Sequence, residues 1–420
     1  MSIDLLTYEP VGDKKNSDIF NEYRIKIYER RRSSGIEDLV GNMAAVVISI
    51  EADDAIPYLS EIYLMTPYRL EASYTSDTHS IYVLRCPAAE AASQPLLFVM
   101  EPHESSYEDE FTRFNMQYPN ARVKPNGRYV GEIYRCKDIK ETGKILTSHE
   151  IRFTNADDVR NDFFTNEHFA FTFMSDFTGN KVGYTASDLH DYDALKLGRK
   201  LELEPEEEAT LKKVDEKFHE LEFADKVLGL DHMATRILAG EREDAILEFL
   251  TMSTYYFWGA YNISAMNSST NVTRNSNVED DKHSPAKVFT ANNTPSFVNS
   301  FEGLPMPTED FVRNFGRRLH HWAYEVRDGD YEPEREKNVD YVVDSLMKEG
   351  IPFLNKVVGE CKDVPDLKQI FSKHSQYSIL ITEYVERCHK FQGFFTKSNV
   401  AELTEAAGHD ERYQHGNVFD

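Results

Sequence analysis

Two histidines, His232 and His321, are set apart from the rest of this 420-residue chain by an internal repeat, and Glu383 by its place as the lone acid of an apolar strand. Val40–Tyr68 laid against Leu230–Trp258, a displacement of 190 positions, brings Met43-Ala44 onto Met233-Ala234, Glu51 onto Glu241 and Asp54-Ala55-Ile56 onto Asp244-Ala245-Ile246. In that alignment Asn42 falls on His232, and further on Gly131 falls on His321, so imidazoles in the second half stand where the first half has poor metal ligands. Ser378–Val385 reads as an apolar strand with one carboxylate, Glu383, while Glu386 lies just past its end. An acid in such a strand is costly to bury unless it is paired or bound to metal. A single histidine on a strand is more often a satisfied polar residue than a ligand, so the weight falls on the set. Two histidines and one carboxylate form a facial triad, which leaves three positions open on Fe(II), enough for a bidentate ligand and O2.

The elements that must position these residues follow from hydrophobic periodicity. The first copy of the repeat reads as a strand over Met43–Ile50 and a helix over Asp53–Leu64, the second as a strand over His232–Leu238 and a helix over Glu243–Met252. The same displacement sets strand Tyr129–Ile133 on strand Leu319–Ala323. After an insertion around Asp328–Lys337 the displacement becomes 200, and Leu146, Ile151 and Phe153 meet Leu346, Ile351 and Phe353. Each half holds two strand-helix-strand units, which predicts an α+β fold with curved, mostly antiparallel sheets. The division expected is an N-terminal extension (1–37), a half without metal (38–190), an acidic linker (191–224) with a helix in Leu201–Glu222, a metal-binding half (225–408) and a polar tail (409–420). Asn262–Ser284 is polar and reads as a long flexible insertion.

Composition narrows the function classes. Lys plus Arg number 47 against 72 Asp plus Glu, a formal charge of −25, which disfavours nucleic acid and anionic membranes as partners. No stretch approaches the roughly 18–20 apolar residues of a membrane helix. The opening MSIDLLTYEPVGDKK lacks a basic region followed by an apolar run, so a cytoplasmic location is expected. Cys86, Cys136, Cys361 and Cys388 are far apart and are read as reduced thiols. The sequons at Asn262, Asn267 and Asn271 are read as chance matches in a polar loop.

The second half resembles the catalytic domain of the 4-hydroxyphenylpyruvate dioxygenase family, in the vicinal oxygen chelate superfamily. Leu230-Asp231-His232 resembles that family's first ligand strand, and His321-Trp322-Ala323 its His-Ile-Ala strand. Lys368-Gln369-Ile370-Phe371-Ser372-Lys373 resembles its Leu-Gln-Ile-Phe-Thr-Lys strand. Glu383-Tyr384-Val385-Glu386-Arg387 sits where the family has its Glu ligand, and Gly393–Asn399 resembles a Gly-rich run before a C-terminal helix. The motifs occur in the family's order over about 225–405; the first half is similar only in architecture.

The resemblance implies two tandem vicinal oxygen chelate-type domains of repeated βαβββ units, and an Fe(II) held by His232, His321 and Glu383. It implies a dioxygenase that decarboxylates and hydroxylates a 2-oxo acid with O2, the nearest named reaction being 4-hydroxyphenylpyruvate to homogentisate. The same iron chemistry on another 2-oxo acid (hydroxymandelate-type or aliphatic hydroxylation), or a non-catalytic binding protein on this scaffold, are the alternatives. A homo-oligomer is compatible with all three. Gln369 is expected to support a ligand or face substrate, Phe371 and Phe394 to wall the pocket, and Ala401–Ala407 to gate it. Adjacent strand residues face opposite ways, so His320 is expected to be structural or at the surface, and His374 and His389 solvated. Phe301 and Met306 stand where the family carries pocket amides, and the usual insertion between His321 and Glu383 is missing. These departures predict a pocket less polar than the family's, accepting apolar 2-oxo acids.

Overall fold

The computed structural model describes residues 3–13, 17–87, 94–104, 110–121, 127–155, 166–192, 194–278, 284–295, 305–331, 336–354, 356–362 and 364–408. A short strand β1 (Val11–Gly12) and a helix (Asp18–Ser34) come first. One eight-stranded sheet then uses β2 (Val40–Ser49), β3 (Arg69–Thr75), β4 (His79–Arg85), β5 (Leu96–Pro102), β6 (Arg128–Cys136), β7 (Ala170–Phe171), β8 (Lys181–Thr185) and β9 (Arg199–Lys200), in the order β7-β8-β6-β2-β5-β4-β3-β9. The other uses β10 (Val227–Arg236), β11 (Tyr255–Ile263), β12 (Ser268–Asn275), β13 (Ala286–Asn292), β14 (Arg318–Val326), β17 (Asp366–Phe371) and β18 (Ile381–Cys388), with β15 (Asp330–Tyr331) and β16 (Glu336–Lys337) pairing apart. Its order is β1-β11-β12-β13-β10-β14-β18-β17. Pairing is mostly antiparallel; the parallel contacts β2–β5, β6–β8, β10–β13 and β14–β18 close the strand-helix-strand units. This is the expected α+β architecture of two tandem, curved halves.

Pairing registers refine the repeat. β2 and β10 are both ten residues long and begin at Val40 and Val227, 187 positions apart, as do helices Ala55–Met65 and Arg242–Met252. Ala45, Ile133 and Gly183 lie in line across β2, β6 and β8, as His232, Ala323 and Glu383 do across β10, β14 and β18. Gly131 keeps its match with His321, but the counterpart of His232 is Ala45, not Asn42. A slip of three residues is odd, and an odd slip turns every side chain to the other face, so the Met-Ala identity at 190 was not structural. The conclusion drawn from it gains by the correction: Ala45, Gly131 and Gly183 offer no side-chain donor.

The halves clasp each other reciprocally. Tyr384 OH donates to the Met65 carbonyl at 2.7 Å, and Tyr184 OH to the Met252 carbonyl. Glu61 bonds Ser375, and Ser175 donates to Glu248. A Cβ on Gly127 would lie 1.9 Å from the Tyr377 carbonyl oxygen, and one on Gly179 2.1 Å from that of Arg317, so both crossings require glycine. Between the sheets the Lys287 ammonium lies 3.2 Å from both Glu132 and the Tyr129 hydroxyl, all three buried. The N-terminal segment belongs to the second half's packing: β1 pairs with β11, and the buried Arg31 guanidinium donates to the carbonyls of Leu250, Ser253 and Tyr255 where helix Arg242–Met252 ends.

Three other expectations are corrected. Asn262–Ser284 is no flexible insertion: β11 continues to Ile263, and Ser268–Asn275 is a strand paired on both sides, only 279–283 lying outside the described residues. Its polar residues escaped notice as a strand because they face inward; Asn267 and Asn271 are buried, which leaves no room for a glycan. Cys361 and Cys388 form a disulfide rather than free thiols, because the antiparallel β17–β18 pair folds the end of β18 back on the loop before Asp366. Cys86 and Cys136 are buried and stand outside that disulfide. The helix in the acidic segment spans Pro205–Glu220 and buries Leu211 and Phe218, so it is not fully solvated. Among the described residues no helix is long and apolar enough to cross a membrane.

Two outcomes follow from the clasp. Lys287→Met strands Glu132 and should cost about 3–5 kcal/mol in denaturant unfolding; adding Glu132→Leu should recover most of that, and a double variant as unstable as the single would refute the pairing. Burial lifts the Glu61 carboxyl from 4.5 to about 7. Because the folded value is the higher, this contribution is complete below about pH 4.5 and is lost as pH rises through about 7. Glu61→Gln should therefore match the parent near pH 4 and exceed its stability near pH 8, read from unfolding midpoints.

Candidate metal centre

Three neighbouring strands carry the candidate ligands. His232 on β10 is in register with Ala323 on β14, which is in register with Glu383 on β18. His321 lies two residues from Ala323 on the same face of β14. The small Ala323 side chain leaves the gap into which its neighbours lean. Glu383 Oε2 stands 3.1 Å from His232 Nε2 and 3.3 Å from His321 Nε2. Two donors bound at right angles to one ion at about 2.1–2.2 Å stand about 3.0–3.1 Å apart, so both distances suit ligands at neighbouring corners of one coordination sphere, and all three atoms lie within 4.8 Å of one another. His232 and Glu383 have no exposed surface, and His232 Nε2 and Glu383 Oε2 have no polar neighbour beyond each other and the His321 ring. Buried polar atoms of native proteins nearly always have partners; a cation held between them satisfies both, and the residues fit a metal of the imidazole-carboxylate class.

A second residue orients each donor. Asp231 Oδ1 takes His232 Nδ1 at 2.7 Å and is itself gripped by Arg387 at 2.5 and 2.9 Å. Gln369 Nε2 donates to Glu383 Oε1 at 2.6 Å, and Asn399 Nδ2 donates to Gln369 Oε1 at 3.2 Å and to the Leu367 carbonyl at 2.6 Å. His321 Nδ1 lies 2.8 Å from His320 Nδ1. Such outer partners fix the tautomer that presents Nε2 to a metal. Burial opposes a charge on every one of these groups. Arg387 and His232 nevertheless hold the Asp231 carboxyl well below its ordinary range, and Glu383 and Asp231 raise His232 to about 9. Burial, with nearby His232 and Arg236, keeps His321 well below the ordinary imidazole value, hence neutral.

Bulges create this geometry. β10 gives two steps, Leu230 to His232, against one on β14, Tyr324 to Ala323, which brings Asp231 round to its neighbour's ring. β14 gives two steps, His321 to Leu319, against one on β10, so His320 is the extra residue. The same bulges recur at Ala44 and Val130 in the first half. Strict alternation would send His320 outward; instead it is buried and lines the cavity beside His321, correcting the expectation of a structural or surface residue.

The cavity, about 50 Å³, is bounded by His321, Glu383, Gln369, Phe371 and Phe395, by Val400, Leu403 and Thr404 of helix Lys397–Gly408, and by Arg236, Ser268, Thr270, Thr290 and Thr308. Phe371 packs 4.7 Å from the His321 ring; Phe394 packs 5.3 Å from His232 but stands behind the lining. Met306 is not in the lining: it precedes helix Pro307–Phe315, and its sulfur meets the Asn267 amide at 3.2 Å. Phe301 lies outside the described residues. Apolar side chains share the lining with the Arg236 guanidinium and several hydroxyls, two of them, Ser268 and Thr270, from the polar strand β12. Glu386 points away and accepts from the backbone N–H of Gly329 and Val339, the latter in the first turn of helix Asn338–Lys348, which separates it from Glu383. His389 is exposed and His374 half-buried. Asp231, Arg387 and Asn399 sat inside the motifs without an assigned role; Arg236 and β12 gave no signal, since their partners lie on other strands.

No family model and no curated protein sequence matches the chain. Solved structures do. A triple mutant of 4-hydroxymandelate synthase from Streptomyces coelicolor superposes with a TM-score of 0.57 at 15% identity, over 88% of this chain and 98% of that one. A xylose isomerase-like TIM barrel/4-hydroxyphenylpyruvate dioxygenase fusion protein superposes with a TM-score of 0.55 at 12% identity, over 95% of this chain and 61% of the fusion. The chain therefore shares its fold with these structures.

Proposed function

We propose that this chain, with its vicinal oxygen chelate fold, is an Fe(II)-dependent dioxygenase that decarboxylates and hydroxylates a 2-oxo acid with O2. The observation that carries the reading is the convergence of the buried His232 Nε2, His321 Nε2 and Glu383 Oε2 at 3.1 and 3.3 Å, beside a cavity that His321 and Glu383 line. Bound there, Fe(II) would supply open coordination positions for a chelating 2-oxo acid and for O2. His232, with its Nδ1 proton on Asp231, keeps a lone pair on Nε2; His321 does the same through His320. Gln369 occupies Glu383 Oε1 and leaves Oε2 for the ion. Phe371, Phe395, Val400 and Leu403 exclude water from the reacting end. A space of about 50 Å³ is smaller than the pockets of roughly 300 Å³ and more that hold small molecules. Helix Lys397–Gly408, which forms one wall, would therefore open to admit substrate.

In this reading 225–408 is the catalytic half. Residues 38–190 serve packing, since Ala45, Gly131 and Gly183 stand at the ligand positions. Conversion of 4-hydroxyphenylpyruvate to homogentisate is the nearest named reaction. The hydroxyl-rich lining with Arg236 favours a second reading, the same iron chemistry on a different 2-oxo acid.

Anaerobic loading followed by metal analysis should find one Fe per chain, with O2 consumption on a panel of 2-oxo acids. His232→Ala, His321→Ala and Glu383→Ala should each lose iron and activity; full retention of both by His321→Ala would sink the assignment. Asp231→Ala should keep the site but weaken Fe(II) affinity about 10–100-fold, measured by competition with a chelator.

A further inference from the structure

The pocket has a second polar end. Arg236, Thr290 and Thr270 lie directly in register across β10, β13 and β12, one row of the sheet. Two residues back, the next row is Ala234, Val288 and Val272, with His321 beside Ala234 on β14. Two further back is His232, in register with Ala323 and Glu383. The rows follow the two-residue period of a strand, so the Arg236 and His232 backbones are roughly 13 Å apart along β10. Arg236, Thr270, Thr290 and His321 all line the one cavity, joined at the Arg236 end by Ser268 and Thr308.

Arg236 is fixed in place. It is 5% exposed, donates to the Pro307 carbonyl at 3.1 Å, and its guanidinium carbon lies 5.1 Å from the Phe311 ring. A guanidinium presents five N–H donors in a rigid fork suited to carboxylates. Arg236 and Glu383 stand at opposite ends of the lining. A second carboxylate on the substrate would meet the guanidinium in a charge-assisted, bidentate hydrogen bond at one end while the 2-oxo acid meets the metal at the other.

We infer that Arg236, with Thr290 and Thr270, binds a second carboxylate at the end of the substrate remote from the 2-oxo acid. The substrate class is then 2-oxo dicarboxylic acids rather than arylpyruvates. This rests on the dioxygenase reading, because it takes the other end of the substrate to be on the metal. It makes Arg236 a specificity-determining residue.

Calorimetric titration of the Fe(II)-loaded protein under anaerobic conditions decides it. 2-Oxoglutarate and 2-oxoadipate should bind at least tenfold more tightly than 4-methyl-2-oxopentanoate and phenylpyruvate. Arg236→Gln should abolish that preference with iron content unchanged, Arg236→Lys should keep part of it, and Thr290→Val should reduce it several-fold. Equal binding of mono- and dicarboxylic acids by the parent protein, or a preference that survives Arg236→Gln, overturns the inference. The parent comparison decides even if the Gln variant fails to fold. Normal iron content without a dicarboxylate preference would refute this inference and leave the dioxygenase reading standing. If no iron binds, glutarate is titrated into the metal-free protein: binding that Arg236→Gln removes refutes that reading while supporting the second-carboxylate site, and no binding refutes both.

Discussion

A carboxylate with no exposed surface, Glu383, sits in the interior of the second sheet, and the surrounding structure answers it. Placing an ionised carboxylate there without compensation would be prohibitive. Gln369 satisfies one oxygen and two imidazoles face the other. Those imidazoles are steadied by Asp231 and His320, and Asp231 by Arg387. The network runs from Asn399, in the first turn of the last helix, to Arg387 near the end of β18. Both bulges and the small Ala323 side chain serve it, since without them the donors would be misaimed.

The first half shows the same scaffold without that constraint. Its bulges fall at Ala44 and Val130, and its sheet pairs in the same registers, yet Ala45, Gly131 and Gly183 place no charge inside. Gly183 has the Phe171 ring against it, where a Cβ would lie 2.5 Å from the nearest ring atom. The ligand position has been converted to apolar packing. What the half contributes is the reciprocal clasp: tyrosine hydroxyls reaching opposite carbonyls, and glycines where two backbones cross. Each contact is modest alone, but paired contacts around a pseudo-twofold resist rotation of one half against the other, which protects the strands carrying the ligands.

The far end of the cavity is polar for a reason visible only in the sheet order. β12 carries Ser268 and Thr270 toward the cavity, and β13 carries Thr290, where an ordinary core would place aliphatic side chains. Such residues are costly to bury unless they bind something or one another, and their alignment with Arg236 concentrates them in one row. The walls nearer the ligands are aromatic and aliphatic, so the cavity is divided into a water-excluding end and a hydrogen-bonding end.

The sequence alone determined the duplication, the α+β class, and the candidate ligands His232, His321 and Glu383, because strand and helix periodicities are local and the ligand residues sit in ordered motifs. It misplaced the counterpart of His232, missed the role of His320, took β12 for a flexible insertion, and left Cys361 and Cys388 unpaired. All four errors have one physical origin. Which way a strand residue points depends on bulges, and bulges exist only relative to a partner strand; a polar run becomes a buried strand only when another sheet row supplies its complement. The tertiary structure therefore decided what the local pattern could not: that an extra residue in β14 turns His320 inward, that the antiparallel β17–β18 pair brings two distant cysteines together, and that Arg236 shares a row with two threonines at the end of the cavity opposite the candidate metal ligands.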